Sequence, residues 1–63
     1  MAATSAELSS LATALDELTR RVTLHAESAD SAKDEETARE LFAVERSLTS
    51  ANRRLYRLAH RRH

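Results

Sequence analysis

Large apolar side chains recur along this chain in two rows. Leu8, Leu11, Leu15, Leu18 and Val22 are spaced three, four, three and four residues apart, and Leu41, Val44, Leu48, Ala51, Leu55 and Leu58 repeat that rhythm. Side chains spaced in this way share one face of an α-helix, at the a and d positions of a heptad. Each row therefore predicts an amphipathic helix. His25 and Ala29 extend the first row weakly. Between the rows lies AESADSAKDEETA, residues 26–38, which holds no large apolar side chain, no glycine and no proline.

Whether the chain turns there follows from the phase of the two rows. With Leu8, Leu15 and Val22 at position a, a continuous helix would carry that position to Glu36 and Ala43. The second row begins instead at Leu41, five residues past Glu36. Coiled helices absorb insertions of three or four residues by local winding, whereas a slip of five swings the stripe around the helix. One straight helix would point its two stripes in different directions; a reversal lets them face each other. Ser28, Asp30 and Ser31 have side chains that compete for backbone hydrogen bonds. Ser31 with Asp34 resembles a capping box, and Asp34, Glu35 and Glu36 would put negative charge at a helix start. Asp30 is the candidate for a left-handed helix end. Thr4 with Glu7 gives the first helix a similar start signal.

The expected architecture is all-α: one domain over residues 1–63, an antiparallel, coiled-coil-like hairpin with helix 1 over about 5–27, a turn at 28–31 and helix 2 over about 32–60. Folding about residue 29 or 30 sets Leu18 against Leu41, Leu15 against Val44, Leu11 against Leu48, and Leu8 against Ala51. Leu55 and Leu58 are then left with Thr4 and Met1. Phe42 and Tyr56 at position b, with Ala38 and Ala59 at e, widen the second stripe beyond what one neighbour can cover. A two-helix core is also small for independent stability. The expected core and oligomer interface is therefore Leu8, Leu11, Leu15, Leu18, Val22, Leu41, Phe42, Val44, Leu48, Leu55, Tyr56 and Leu58. The expected assembly is a homodimer forming a four-helix bundle. Leu24 lies off the first row, at position c, and reads as an isolated exposed leucine.

Composition narrows the chemistry. The 63 residues contain no cysteine, which removes disulfides and thiolate metal sites. Ten basic and ten acidic residues balance to zero net charge. No apolar run approaches the ~20 residues a membrane span needs, and no signal-peptide pattern opens the chain. The expectation is a soluble, cytoplasmic protein. Acidic residues precede basic ones by four at Asp16/Arg20, Glu17/Arg21 and Glu35/Arg39, each pair supporting a helix by about 0.2–0.5 kcal/mol.

The sign of the charge changes along the chain. After Glu45 every charged residue is an arginine. Arg46, Arg53, Arg54, Arg57 and Arg61 fall at positions f, c and g, away from the apolar row. Such an array suits an anionic partner, an acidic protein surface or a nucleic acid, although cations at a helix C-terminus also favour the helix dipole by themselves. Dedicated nucleic-acid binders are usually strongly basic overall, so a protein partner is the first reading and nucleic acid or nucleotide the second. His60 and His63 stand at i, i+3 but lack the further ligands of a metal site, so no metal or cofactor is assigned. His25, at a d position, reads as a partner for Asp34. There is no cysteine nucleophile, phosphate loop or Glu-x-x-His pattern, and Ser, His and Asp occur without a spacing that points to catalysis. The sequence thus predicts a non-catalytic interaction module.

Overall fold

A computed structural model of the chain describes residues 4–61. It consists of two helices, α1 (Ser5–Ser31) and α2 (Glu35–Ala59), packed along their length as an antiparallel hairpin. Met1 and His63, which entered the sequence reading, lie outside the described residues. No described helix is long and apolar enough to cross a membrane.

The start of α1 follows the sequence signal. Glu7 N–H donates to Thr4 Oγ1 at 3.1 Å, and Thr4 N–H donates to Glu7 Oε1 at 2.9 Å. This reciprocal capping box satisfies donors that a helix start leaves open. The bond from the Thr4 backbone, followed by the one with its hydroxyl, holds the Glu7 carboxyl below its ordinary pKa.

The reversal lies further along than expected, at Ala32, Lys33 and Asp34 rather than at 28–31. Helix α1 continues through Ser28, Asp30 and Ser31 because its last carbonyls find good partners. Ala32 N–H donates to Ser28 O at 3.0 Å, Lys33 N–H to Asp30 O at 3.0 Å, and Asp34 N–H to Ala29 O at 2.9 Å. The last two form the Schellman pattern, which requires a left-handed residue at its centre. That residue is Lys33, at φ 64°, and not Asp30. Ser31 is the last residue of α1 and does not cap α2. Asp34 caps α2 itself, its carboxylate accepting from Thr37 N–H at 3.3 Å. Glu35 and Glu36 then occupy the first turn of α2, where the helix dipole favours them.

A lysine at left-handed φ pays a steric penalty that glycine avoids. Lys33→Gly is therefore expected to stabilise the hairpin by about 1 kcal/mol, read from urea unfolding. No gain would mean that the turn takes another conformation.

The later reversal shifts the helices past each other. In the register expected from the sequence, Glu45 would have lain beside Ala14. Instead the Thr23 hydroxyl donates to the Glu45 carboxylate. Leu55 does not reach past the start of α1 but shares a shallow depression with Leu11, Leu15 and Leu18. Leu18 therefore does not pair with Leu41, nor Leu11 with Leu48.

Among the described residues those that are buried are all small: Ala12, Ala26, Ala38 and Ala59. With half-buried Thr19 on α1, and half-buried Glu45 and Asn52 on α2, they form two rows with a seven-residue repeat, 12, 19, 26 and 38, 45, 52, 59. These rows face each other across the hairpin. Small side chains there let the two backbones come close, since interaxial distance follows the size of the contacting residues. Leu8, Leu15, Val22, Leu41, Leu48 and Leu55 are half-buried to one side of this seam. The d positions of the expected seam are outside it: Leu11, Leu18, Val44, Ala51 and Leu58 are all exposed.

Candidate functional site: two unlike faces of the hairpin

Because the small residues form the contact, the leucine rows of both helices emerge on the same side of the hairpin. Antiparallel helices related by an approximate twofold axis normal to their common plane present equivalent heptad positions on one face. Leu11, Leu15, Leu18 and Leu55 line a single depression there, with Ala14 at its rim. Val44, Leu48, Ala51 and Leu58 continue the face along α2, the row 44, 48, 51, 55, 58 stepping by four, three, four and three residues. The exposures decide its character: Leu11 is 54% exposed, Leu18 45%, Val44 44% and Leu58 46%. An apolar patch of this extent is the ordinary mark of an interaction surface.

Not all exposed apolar residues belong to it. Leu24, 60% exposed, projects from the outer side of α1, as its position off the row implied. Phe42 and Tyr56 lie on the opposite side of the seam from Val44 and Leu58. Phe42 is half-buried; Tyr56 stacks on His60, with ring centroids 5.5 Å apart and planes 7° from parallel. The wide stripe of α2 is thus divided between two sides of the molecule.

The second side is polar. A groove between the helices is lined by Asp16, Thr19, Thr49, Asn52, Tyr56 and the arginines 53 and 57. Of its hydroxyls, Thr19 donates to Leu15 O at 2.7 Å; one turn further along α1, outside the groove lining, the Thr23 hydroxyl contacts both Thr19 O, at 3.1 Å, and Glu45. The Asn52 carboxamide oxygen is buried at the seam without a hydrogen-bond partner among the described residues. The sequence reading had no place for Thr23, Glu45 and Asn52. Glu45 and Asn52 stand seven residues from Ala38 and Ala59, which was the available signal for them, but alanine on a helix surface does not announce burial; Thr23 carries no such spacing.

All five arginines of the array are exposed. Arg53 and Arg57 border the polar groove, whereas Arg46 and Arg54 flank a shallow depression with Ser47 and Ser50 on the outer side of α2. The array thus wraps around the outside of α2 instead of forming one flat patch. Among the described residues the side-chain ion pair is Arg20–Glu17, at 2.7 Å, with a second contact at 2.9 Å. The hydrogen bond and charge of Glu17 raise the pKa of Arg20. Glu17 thus pairs at i, i+3 with Arg20, not at i, i+4 with Arg21, and Asp16/Arg20 and Glu35/Arg39 form no bridge. Among the described residues none of the five array arginines has an acidic partner.

His60 binds back to its own helix, its Nδ1 lying 2.9 Å from Tyr56 O. His25 is exposed on the leucine face and makes no hydrogen bond to Asp34. Among the described residues no group of three His, Cys, Asp or Glu side chains is placed to hold a metal ion. No family model, curated protein or solved structure matches this chain.

Proposed function

We propose that this protein is a non-catalytic, cytoplasmic interaction module. In this reading it self-associates through its leucine face into a four-helix bundle and offers the arginines of α2 to an acidic partner protein, as an adaptor, regulator or assembly subunit. The observation that carries the reading is the leucine face. A hairpin closed by alanines buries too little apolar surface to be stable alone, while its largest side chains remain in water. Covering that face with a like face removes both deficits.

The arginine array supports the second half. Arg46, Arg53, Arg54, Arg57 and Arg61 have no acid among them and, among the described residues, no salt bridge, and they lie outside the leucine face or on its rim. They stay accessible once that face is covered. The alternative, a nucleic-acid or nucleotide binder, uses the same side chains.

Titration with a Glu-rich peptide and, separately, with a single-stranded oligonucleotide tests the array. The expected result is salt-sensitive binding of the peptide, weakened about tenfold by Arg53→Ala with Arg57→Ala. Tighter binding of the oligonucleotide would favour the alternative. Failure of both probes at low salt would leave the array a structural feature of the helix end.

A further inference from the structure

Resting on the self-association just proposed, we infer that the occupant of the leucine face is a second copy laid on it in the antiparallel sense, so that the turn of each hairpin covers the open end of the other. Two independent features of the hairpin point this way.

The first is charge along its long axis. Around the turn, residues 27–40 hold six acids (Glu27, Asp30, Asp34, Glu35, Glu36, Glu40) against Lys33 and Arg39, a net charge of −4. At the other end, residues 46–61 hold five arginines and no acid, and residues 4–21 hold three acids against two arginines; +5 and −1 give +4. Two copies stacked with their turns together would join −4 to −4 and +4 to +4. Reversing one copy puts opposite charge at both ends. On the rim of the leucine face this reversal brings Glu40 of one copy toward Arg61 of the other. Like-charge contact across an interface is strongly disfavoured, and complementary fields speed encounter and set register.

The second feature is the taper of the face. Its open end is crowded with leucines: Leu8, Leu11, Leu15, Leu18, Leu55 and Leu58. Toward the turn it thins to Val22, His25, Ala29 and Val44, with Leu41 as its last large residue. An antiparallel partner lays its large residues over the small ones, keeping the thickness of the core even from end to end. Facing large against small is how well-filled cores are built. The hairpin measures 48 × 17 × 14 Å, so one broad side provides the roughly 800 Å² per partner of a standard stable interface. In this arrangement the two arginine arrays stand at opposite ends of the bundle, and the dimer presents two separated sites for acidic segments.

The chain has no cysteine, so single cysteines can be introduced for spin labels. Lys33→Cys marks the turn and Ser5→Cys the open end, both at exposed positions. Labelled samples are read by pulsed EPR at concentrations where sedimentation reports a dimer. Each singly labelled homodimer is expected to give a long distance, about 40 Å, near the length of the 27-residue α1. Short distances, below about 25 Å, in a confirmed dimer would overturn the antiparallel sense and leave self-association standing. Absence of a dimer for the unmodified chain would overturn self-association, and the antiparallel sense with it.

Discussion

Leu18→Glu is expected to abolish self-association while leaving two helices that can still form. Leu18 stands in the middle of the leucine face, next to Leu15 and Leu55, and is 45% exposed in the single hairpin. In an assembled bundle a carboxylate there would be withdrawn from water among leucines, which costs several kcal/mol. Sedimentation should show dimerisation weakened by at least about 100-fold, or ~3 kcal/mol. Leu24→Glu supplies the comparison. Leu24 is more exposed, at 60%, yet it projects from the outer side of α1. A simple loss of hydrophobicity would make the two variants alike. The face predicts that Leu24→Glu sediments like the unmodified chain.

Ala26→Leu is expected to destabilise the hairpin itself. Ala26 has no exposed surface, the lowest value among the described residues, and it belongs to the row of small residues at the seam. Extra methylenes in a filled contact force off-rotamer side chains or push the helices apart, at about 1–3 kcal/mol. For a 63-residue domain that is a large share of the total stability. The loss should appear as a lower thermal midpoint at fixed protein concentration. Ala14→Leu is the control, since Ala14 borders the leucine face and not the seam. It should leave the hairpin intact and add apolar area to the interface. If Ala26→Leu were the milder of the two, the alanine seam would be the wrong description of how the helices meet.

These two substitutions mark where sequence reading succeeds and where it stops. The phase slip between Val22 and Leu41 called for a reversal, because a stripe that changes direction cannot face one interior. The capping box at Thr4 and Glu7 was equally legible, since reciprocal bonding needs only those two side chains three apart. The position of the turn was not. Ser28, Asp30 and Ser31 tolerate a helix as well as a turn, and a lysine in the left-handed region carries no sequence signal at all. A shift of the turn by a few residues then changed every cross-helix pair, replacing Leu18/Leu41 with contacts such as Thr23/Glu45. The leucine rows located the apolar stripe but not which edge of it the partner helix takes. Large residues mark the stripe, whereas the closest backbone approach goes to the smallest. Ala12, Ala26, Ala38 and Ala59 are interior by geometry, and nothing in their composition says so. The arginine array was readable as an unbalanced charge, while its wrapping around α2 needed the helix packing.

The central claim is that alanines close the hairpin and thereby leave a leucine face that a second copy covers. Sedimentation equilibrium of the unmodified chain, followed from high to sub-micromolar concentration with helicity read on the same samples, tests it most directly. The account predicts a species of twice 7.1 kDa that dissociates on dilution with loss of helix. A fully helical particle of 7.1 kDa at every concentration would contradict it.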